Sequence, residues 1–460
     1  MNRALLASAL LAAASSPCMA QDFAITNATV VIGDGGAPIV GGTVIVRGGK
    51  VVAAGPAAAV ATSGTTVIDG TGKWVTPGLV VAVTDLGLVD VDAVRESNDA
   101  NGGNSTFNAA LDVAPAIDPA ALPIAVSRTG GVTRAAIAPN AGNSVFAGQG
   151  AIIDLGADPA AVIRAQAFQY VELGEDGAAK AGGSRVAAHA LLRNALREAR
   201  DFGRRAVVSG GRAQTARVAP GDDIPLDPRL GQGEERRDAD VLLTRFDAAA
   251  LIPVVRGSQP LYVHVERASD IRAVIALKRE FPALKLVIVG ASEGWLAASD
   301  IAAAGVPVIA NALTDLPERF EQLASTQSNI GRMTAAGVKV AIGNMRNDDK
   351  NQPRYAPQYA GNLVALARVP GASGLTWGQA FAAISSIPAE IIGMADRFGS
   401  LRPGRAGDVV IWDGDPLEVT SGVLADYIDG VAQPLANHQT RLRDRYRTPT
   451  EGDLPKAYDW

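Results

Sequence analysis

The sequence predicts a (β/α)8 barrel of the TIM type, joined to a small β-sandwich domain made from both chain ends. Three observations lead there. Short, continuous apolar runs alternate with helical patterns through the middle of the chain. Glycine-punctuated β-prone runs fill the stretch before Trp74. The same antiparallel style returns near Asp408. Continuous apolar strands separated by helices mark a parallel sheet covered on both faces, and their number favours a closed barrel over an open sheet. No glycine-rich dinucleotide loop follows any of these strands, which counts against the open alternative.

The elements follow in chain order. Arg3 and the run Ala4–Ala14, ending in Cys18-Met19-Ala20, read as a signal peptide cleaved after Ala20, so the mature protein is expected in the periplasm or secreted. Ser15-Ser16-Pro17 before Cys18 is a poor match to a lipidation box. Residues 21–73 hold hairpin-like runs, Phe23–Ile32, Gly41–Val46 and Lys50–Gly55. They are expected to pair with residues 400–435, since neither piece is large enough to hold its own core. Residues 74–399 form the barrel. Its strands are read at Val75–Thr84, Gly131–Ala138, Leu261–Val265, Lys285–Val289, Val306–Ala310 and Val338–Ile342. Helices are expected at Val186–Arg200, Ser269–Arg279, Gly294–Ala304, Arg319–Ala336 and Trp377–Ser385. The segments 97–115 and 204–237 read as loops, and 436–460 as a polar surface tail.

Composition narrows the chemistry. A net charge of -5 without a basic run argues against nucleic acid as the main partner. No apolar segment is long enough to span a bilayer, so an integral membrane protein is not expected. The one cysteine lies in the leader, which removes thiolate chemistry and disulfides from the mature chain. A serine-triad hydrolase fits poorly, because no Gly-x-Ser-x-Gly elbow appears.

Several motifs then carry a resemblance. Thr76-Pro77-Gly78-Leu79 closes the N-terminal sheet. Gly142–Leu155 contains Gly148-Gln149-Gly150, Gly399–Val410 leads back to the small sheet, and Ile387–Gly393 reads as the helix before it. Together and in this order they resemble the amidohydrolase superfamily, most closely its imidazolonepropionase-like and prolidase-like periplasmic branch. The resemblance implies a hydrolase of non-peptide carbon–nitrogen bonds (amide or cyclic amide) or of dipeptides. It also implies a zinc-type ion held by imidazoles, which lowers the pKa of bound water to about 7.

Set against that pattern, the ligand positions are depleted. The His-x-His pair of the first strand reads Val83-Thr84-Asp85, the sixth-strand histidine falls at Gly290, and the aspartate after the eighth strand falls at Met345. His264 alone is retained. The chain has only three histidines, His189, His264 and His438, so a four-histidine binuclear site is excluded by count. A reduced site for at most one divalent ion remains conceivable from Asp85, Glu175 and His264, with Asp348 or Glu266 as base. The competing expectation leaves His264 hydrogen-bonded inside the barrel mouth with no ion. The sequence therefore predicts an impaired or remodelled metal-dependent hydrolase acting on a small molecule. Its alternative is a non-catalytic periplasmic ligand-binding protein, or a partner subunit of an active paralogue, with homo-oligomerisation also open.

Overall fold

The computed structural model describes residues 20–57, 64–208, 242–312, 314–343 and 352–447. The leader, most of the 204–237 segment, Asp348, Met345 and the tail beyond 447 lie outside the described residues.

Five strands open the chain: β1 (Phe23–Val30), β2 (Ile39–Arg47), β3 (Lys50–Pro56), β4 (Thr66–Asp69) and β5 (Trp74–Pro77). Eight more line the barrel: β6 (Leu79–Thr84), β7 (Val132–Ile137), β8 (Phe146–Asp154), β9 (Val162–Glu172), β10 (Leu261–Val265), β11 (Leu286–Gly290), β12 (Val308–Ala310) and β13 (Val340–Ile342). Three close the chain: β14 (Val409–Trp412), β15 (Val423–Ile428) and β16 (Val431–Ala432).

The first and last groups make one sheet in the order β16-β15-β14-β5-β1-β2-β3, forking at β1, which also pairs with β4. The strands at both chain ends meet where β14 runs antiparallel to β5. Phe23, Ile25, Val44, Val75 and Val409 form the core of this sheet, with the Phe23 and Tyr427 rings 4.4 Å apart.

The expected run Val75–Thr84 is divided between the two sheets. Gly78 is the break: a Cβ there would meet the Thr133 side chain at 2.1 Å, so only glycine lets the chain pass from one sheet to the other.

The barrel sheet runs β6 to β13 in sequence order. It departs from an all-parallel barrel at β8, which pairs antiparallel with both β7 and β9. Parallel pairing needs a crossover of about a dozen residues or more. The short connections on either side of β8 allow only a return in the opposite direction. Between β13 and β6 the seam is bridged by main chain from 383–384. The Val80 amide donates to the Ile384 carbonyl at 3.0 Å, and the Ile342 amide to that of Ala383 at 2.9 Å. Inward-facing Val80, Ala82, Phe168, Tyr262, Val287, Ile309 and Ala341 fill the interior. Outward-facing Val81, Val263 and Ile288 pack under helices that contribute Leu192, Ile271 and Ile301.

Helices Arg185–Val208 and Ala268–Glu280 occupy their expected places. Arg319–Ala336 does not form one helix: a 3-10 turn at Phe320–Gln322 and a short helix at Asn329–Ala335 flank a loop. In that loop the Thr326 Oγ1 accepts from the Ser328 amide at 3.2 Å, a local bond that competes with helical hydrogen bonding. The polar tail contains a helix, His438–Arg447, with no buried residue. Among the described residues no helix is long and apolar enough to cross a membrane.

Candidate functional site at the barrel mouth

The register of the barrel brings the site together. His264 on β10 pairs with Glu172 at the end of β9, and Val265 pairs with Gly290 at the end of β11. Side chains alternate along a strand, and Tyr170 already faces the interior, so Glu172 two residues later shares that face at the open end. Paired residues on adjacent strands point the same way, which sets His264 beside Glu172.

The imidazole is held from both sides. Nδ1 lies 2.8 Å from a Glu172 carboxylate oxygen, and Nε2 lies 3.1 Å from Glu266 Oε1. Burial opposes a charged imidazolium, but the two carboxylates outweigh it and hold the His264 pKa well above the ordinary value. Burial likewise pushes the Glu266 carboxyl up, yet His264 and Ser292 together keep it below the usual range. The Ser292 amide donates to Glu266 Oε2 at 2.7 Å, and the Gly174 amide to Glu172 Oε1 at 2.8 Å.

Gly290 explains where Glu266 goes. Its φ is +91°, and a Cβ on it would lie 2.7 Å from Glu266 Oε1. The carboxylate of Glu266 therefore occupies the space that a side chain from the sixth barrel position would fill. Glycine at 290 is at once the missing ligand and the room for its replacement.

These groups line a cavity of about 270 Å³ that also includes Tyr170, Lys180, Asn140, Asn311, Arg319 and Glu321. Glu321, 1% exposed, accepts from the Glu175 amide at 2.8 Å and from Arg185 at 3.2 Å. Burial pushes its carboxyl up; His264 opposes this and Glu266 adds to it. Tyr170 is 6% exposed, and burial, reinforced by Glu172 and Glu266, keeps its phenol protonated far above the ordinary value. Among the described residues its hydroxyl has no hydrogen-bond partner.

The residues expected at the site are only partly brought together. His264 and Glu266 meet there. Glu175 does not: β9 ends at Glu172, and Glu175 begins the helix Glu175–Lys180, where its side chain reaches Arg185 at 3.5 Å. The acidic residue beside His264 is Glu172, three positions earlier. Asp85 is buried just past β6 and is not among the residues lining the cavity. Val83 packs with the apolar barrel interior. His189 lies in the helix Arg185–Val208, 3.5 Å from Asp270, away from the mouth. Glu172 and Tyr170 were readable from the two-residue alternation along β9. Glu321 had no such signal, since it arrives from the irregular segment after β12.

A catalytic zinc-type ion is held by imidazole, thiolate or carboxylate donors with one position left open, and the resemblance implies imidazoles. Here the one histidine at the mouth has both nitrogens engaged by carboxylates, and among the described residues no group of three or more His, Cys, Asp or Glu is arranged to hold an ion. The donor set as folded does not fit the ion that the resemblance implies.

The fold and mouth together define an α/β barrel protein with a polar, carboxylate-rich pocket at its open end. Residues 271–430 match the amidohydrolase family. A stretch of 85 residues is 34% identical to the amidohydrolase tasK of Hapsidospora irregularis, a match covering 18% of this chain and 9% of that relative's length. An amidohydrolase from Thermotoga maritima MSB8 shares the fold with a TM-score of 0.73 at 22% identity, over 89% of this chain and 99% of that one. An uncharacterized protein shares it at 0.50 and 16% identity, over 89% and 99%. The chain shares its fold with the Thermotoga maritima amidohydrolase, and the family match is confined to residues 271–430.

Proposed function

We propose that this protein is an exported amidohydrolase-superfamily member, released from its leader after Ala20. Its barrel mouth is remodelled from metal-dependent hydrolysis of carbon–nitrogen bonds toward binding a small polar molecule. One observation carries the reading: both ring nitrogens of His264 are tied to Glu172 and Glu266, at 2.8 and 3.1 Å. An imidazole held in this way offers no lone pair to an ion, and Glu266 fills the space at Gly290 from which a further ligand would come.

The test is direct. The mature protein is loaded with zinc or manganese, its metal content is measured, and it is assayed on amides, cyclic amides and dipeptides. The expected result is substoichiometric metal and turnover near background. Strong turnover that His264→Ala or Asp85→Ala abolishes would overturn the reading in favour of a rebuilt one-ion site.

A further inference from the structure

We propose that Asn101 is a site of spontaneous modification, where the side-chain amide is lost and the main chain is in part rerouted through an isoaspartate. The site is independent of the ligand-binding reading above.

Sequence and geometry meet at this residue. Asn101 is the one asparagine in the chain followed by glycine. It is exposed, in the loop after the buried Ala100. Gly102 has no Cβ to screen its amide nitrogen, and packing keeps it so: a Cβ there would lie 2.6 Å from Leu111 Cδ1. Among the described residues that nitrogen donates to no acceptor. The Gly103 amide donates to Asn101 Oδ1 at 3.0 Å, which draws electrons from the side-chain carbonyl carbon and supports negative charge on its oxygen.

The chemistry needs only water. The Gly102 nitrogen, losing its proton to solvent base, attacks Cγ of Asn101, a step made intramolecular by their adjacency. The new C–N bond closes a five-membered succinimide. The bond from Cγ to Nδ2 breaks, and a proton from water lets that nitrogen leave as ammonia. Water then adds to either ring carbonyl and opens the ring. One opening gives aspartate, and the other gives isoaspartate, in which the main chain runs through the β-carboxyl. One water enters and one ammonia leaves.

The loop bears on the barrel mouth. The Ala100 carbonyl accepts from the Asn140 amide at 2.6 Å, and Asn140 lines the cavity. A Cβ on Gly142 would lie 3.3 Å from the Gly103 carbonyl oxygen, so the two backbones touch there. Modification places a carboxylate between these two contacts, and isoaspartate lengthens the chain there by one methylene group.

The mature protein is aged in mildly alkaline buffer, digested and read by mass spectrometry with fragmentation. The mass gain of amide-to-acid conversion should accumulate at Asn101 at least about tenfold faster than at the exposed Asn104 and Asn143, each followed by serine. Its rate in the folded protein should lie within about tenfold of that in the urea-unfolded chain, because the loop is exposed. Asn101→Gln should abolish the gain at that position; if this variant fails to fold, the wild-type site assignment and the folded-to-unfolded ratio carry the test. Amide hydrogen exchange at Asn140 should quicken in the aged protein. No gain at Asn101, equal rates at the three asparagines, or a folded rate suppressed beyond that range overturns the proposal. Unchanged exchange at Asn140 overturns its connection to the mouth.

Discussion

At the scale of single residues, the barrel mouth is organised by a glycine and a carboxylate that exclude each other's alternatives. Any residue with a Cβ at 290 must adopt a positive φ and push Glu266 from a contact of 2.7 Å. Gly290→Ala is therefore expected to lower stability by about 1–3 kcal/mol, measured by urea unfolding. An unchanged midpoint would mean that Glu266 does not sit where it is described. His264→Ala removes the imidazole between Glu172 and Glu266 and leaves two largely buried carboxylates facing each other. Breaking such a pair costs on the order of 3 kcal/mol. Glu266→Gln in the same chain should recover part of that loss, because it removes one of the two repelling charges; a double variant no more stable than His264→Ala would argue against the arrangement. This is the behaviour of an ion-paired cluster. A metal site would respond chiefly to chelators.

At the scale of elements, the decisive points are where a strand must change sheet or direction. Gly78 lets β5 hand over to β6 against Thr133, which is fully buried. Gly78→Ala should destabilise by about 1–3 kcal/mol through overpacking, and Thr133→Ala in the same chain should restore part of it in denaturant titrations. Lack of coupling between the two would mean that the close approach is absent. The antiparallel β8 follows from connections too short for a crossover. The break between Phe320–Gln322 and Asn329–Ala335 is accompanied by the Thr326 hydroxyl bonding to the Ser328 amide in place of helical pairing. That broken segment is what delivers Glu321 and Arg319 to the cavity.

At the scale of the whole molecule, the barrel and the small sheet are joined by buried charge. Arg134 on β7 forks onto Asp408 with two bonds of 2.7 Å and reaches Asp429 at 2.9 Å. Asp426 lies beside this network at 1% exposure. Burial, reinforced by Asp408 and opposed by Arg128 and Arg134, pushes its carboxyl well above the ordinary carboxylate value. A raised acid binds its proton more tightly in the folded state. Its contribution is thus fully present below the unfolded pKa, about 3.9, and is lost as pH rises from there through the raised folded value. Asp426→Asn, which cannot ionise, should therefore raise the melting temperature more at pH 8 than at pH 4. An equal shift at both pH values would mean that Asp426 titrates normally.

The sequence alone determined the architecture: apolar runs separated by helical patterns require a sheet covered on both faces, and Thr76-Pro77-Gly78-Leu79 and Gly399–Val410 mark where the small sheet joins it. It also determined the scarcity of imidazoles, because three histidines cannot supply four ligands wherever the chain goes. Only the tertiary structure decided which groups meet. Glu172 in place of Glu175 depends on where β9 ends, the opposition of His264 and Glu172 depends on strand register, and the filling of Gly290 by Glu266 depends on a positive φ at the end of the neighbouring strand. Composition and periodicity are local properties of the chain. A site is a set of distances between strands, and those are set by pairing and packing that no local pattern encodes.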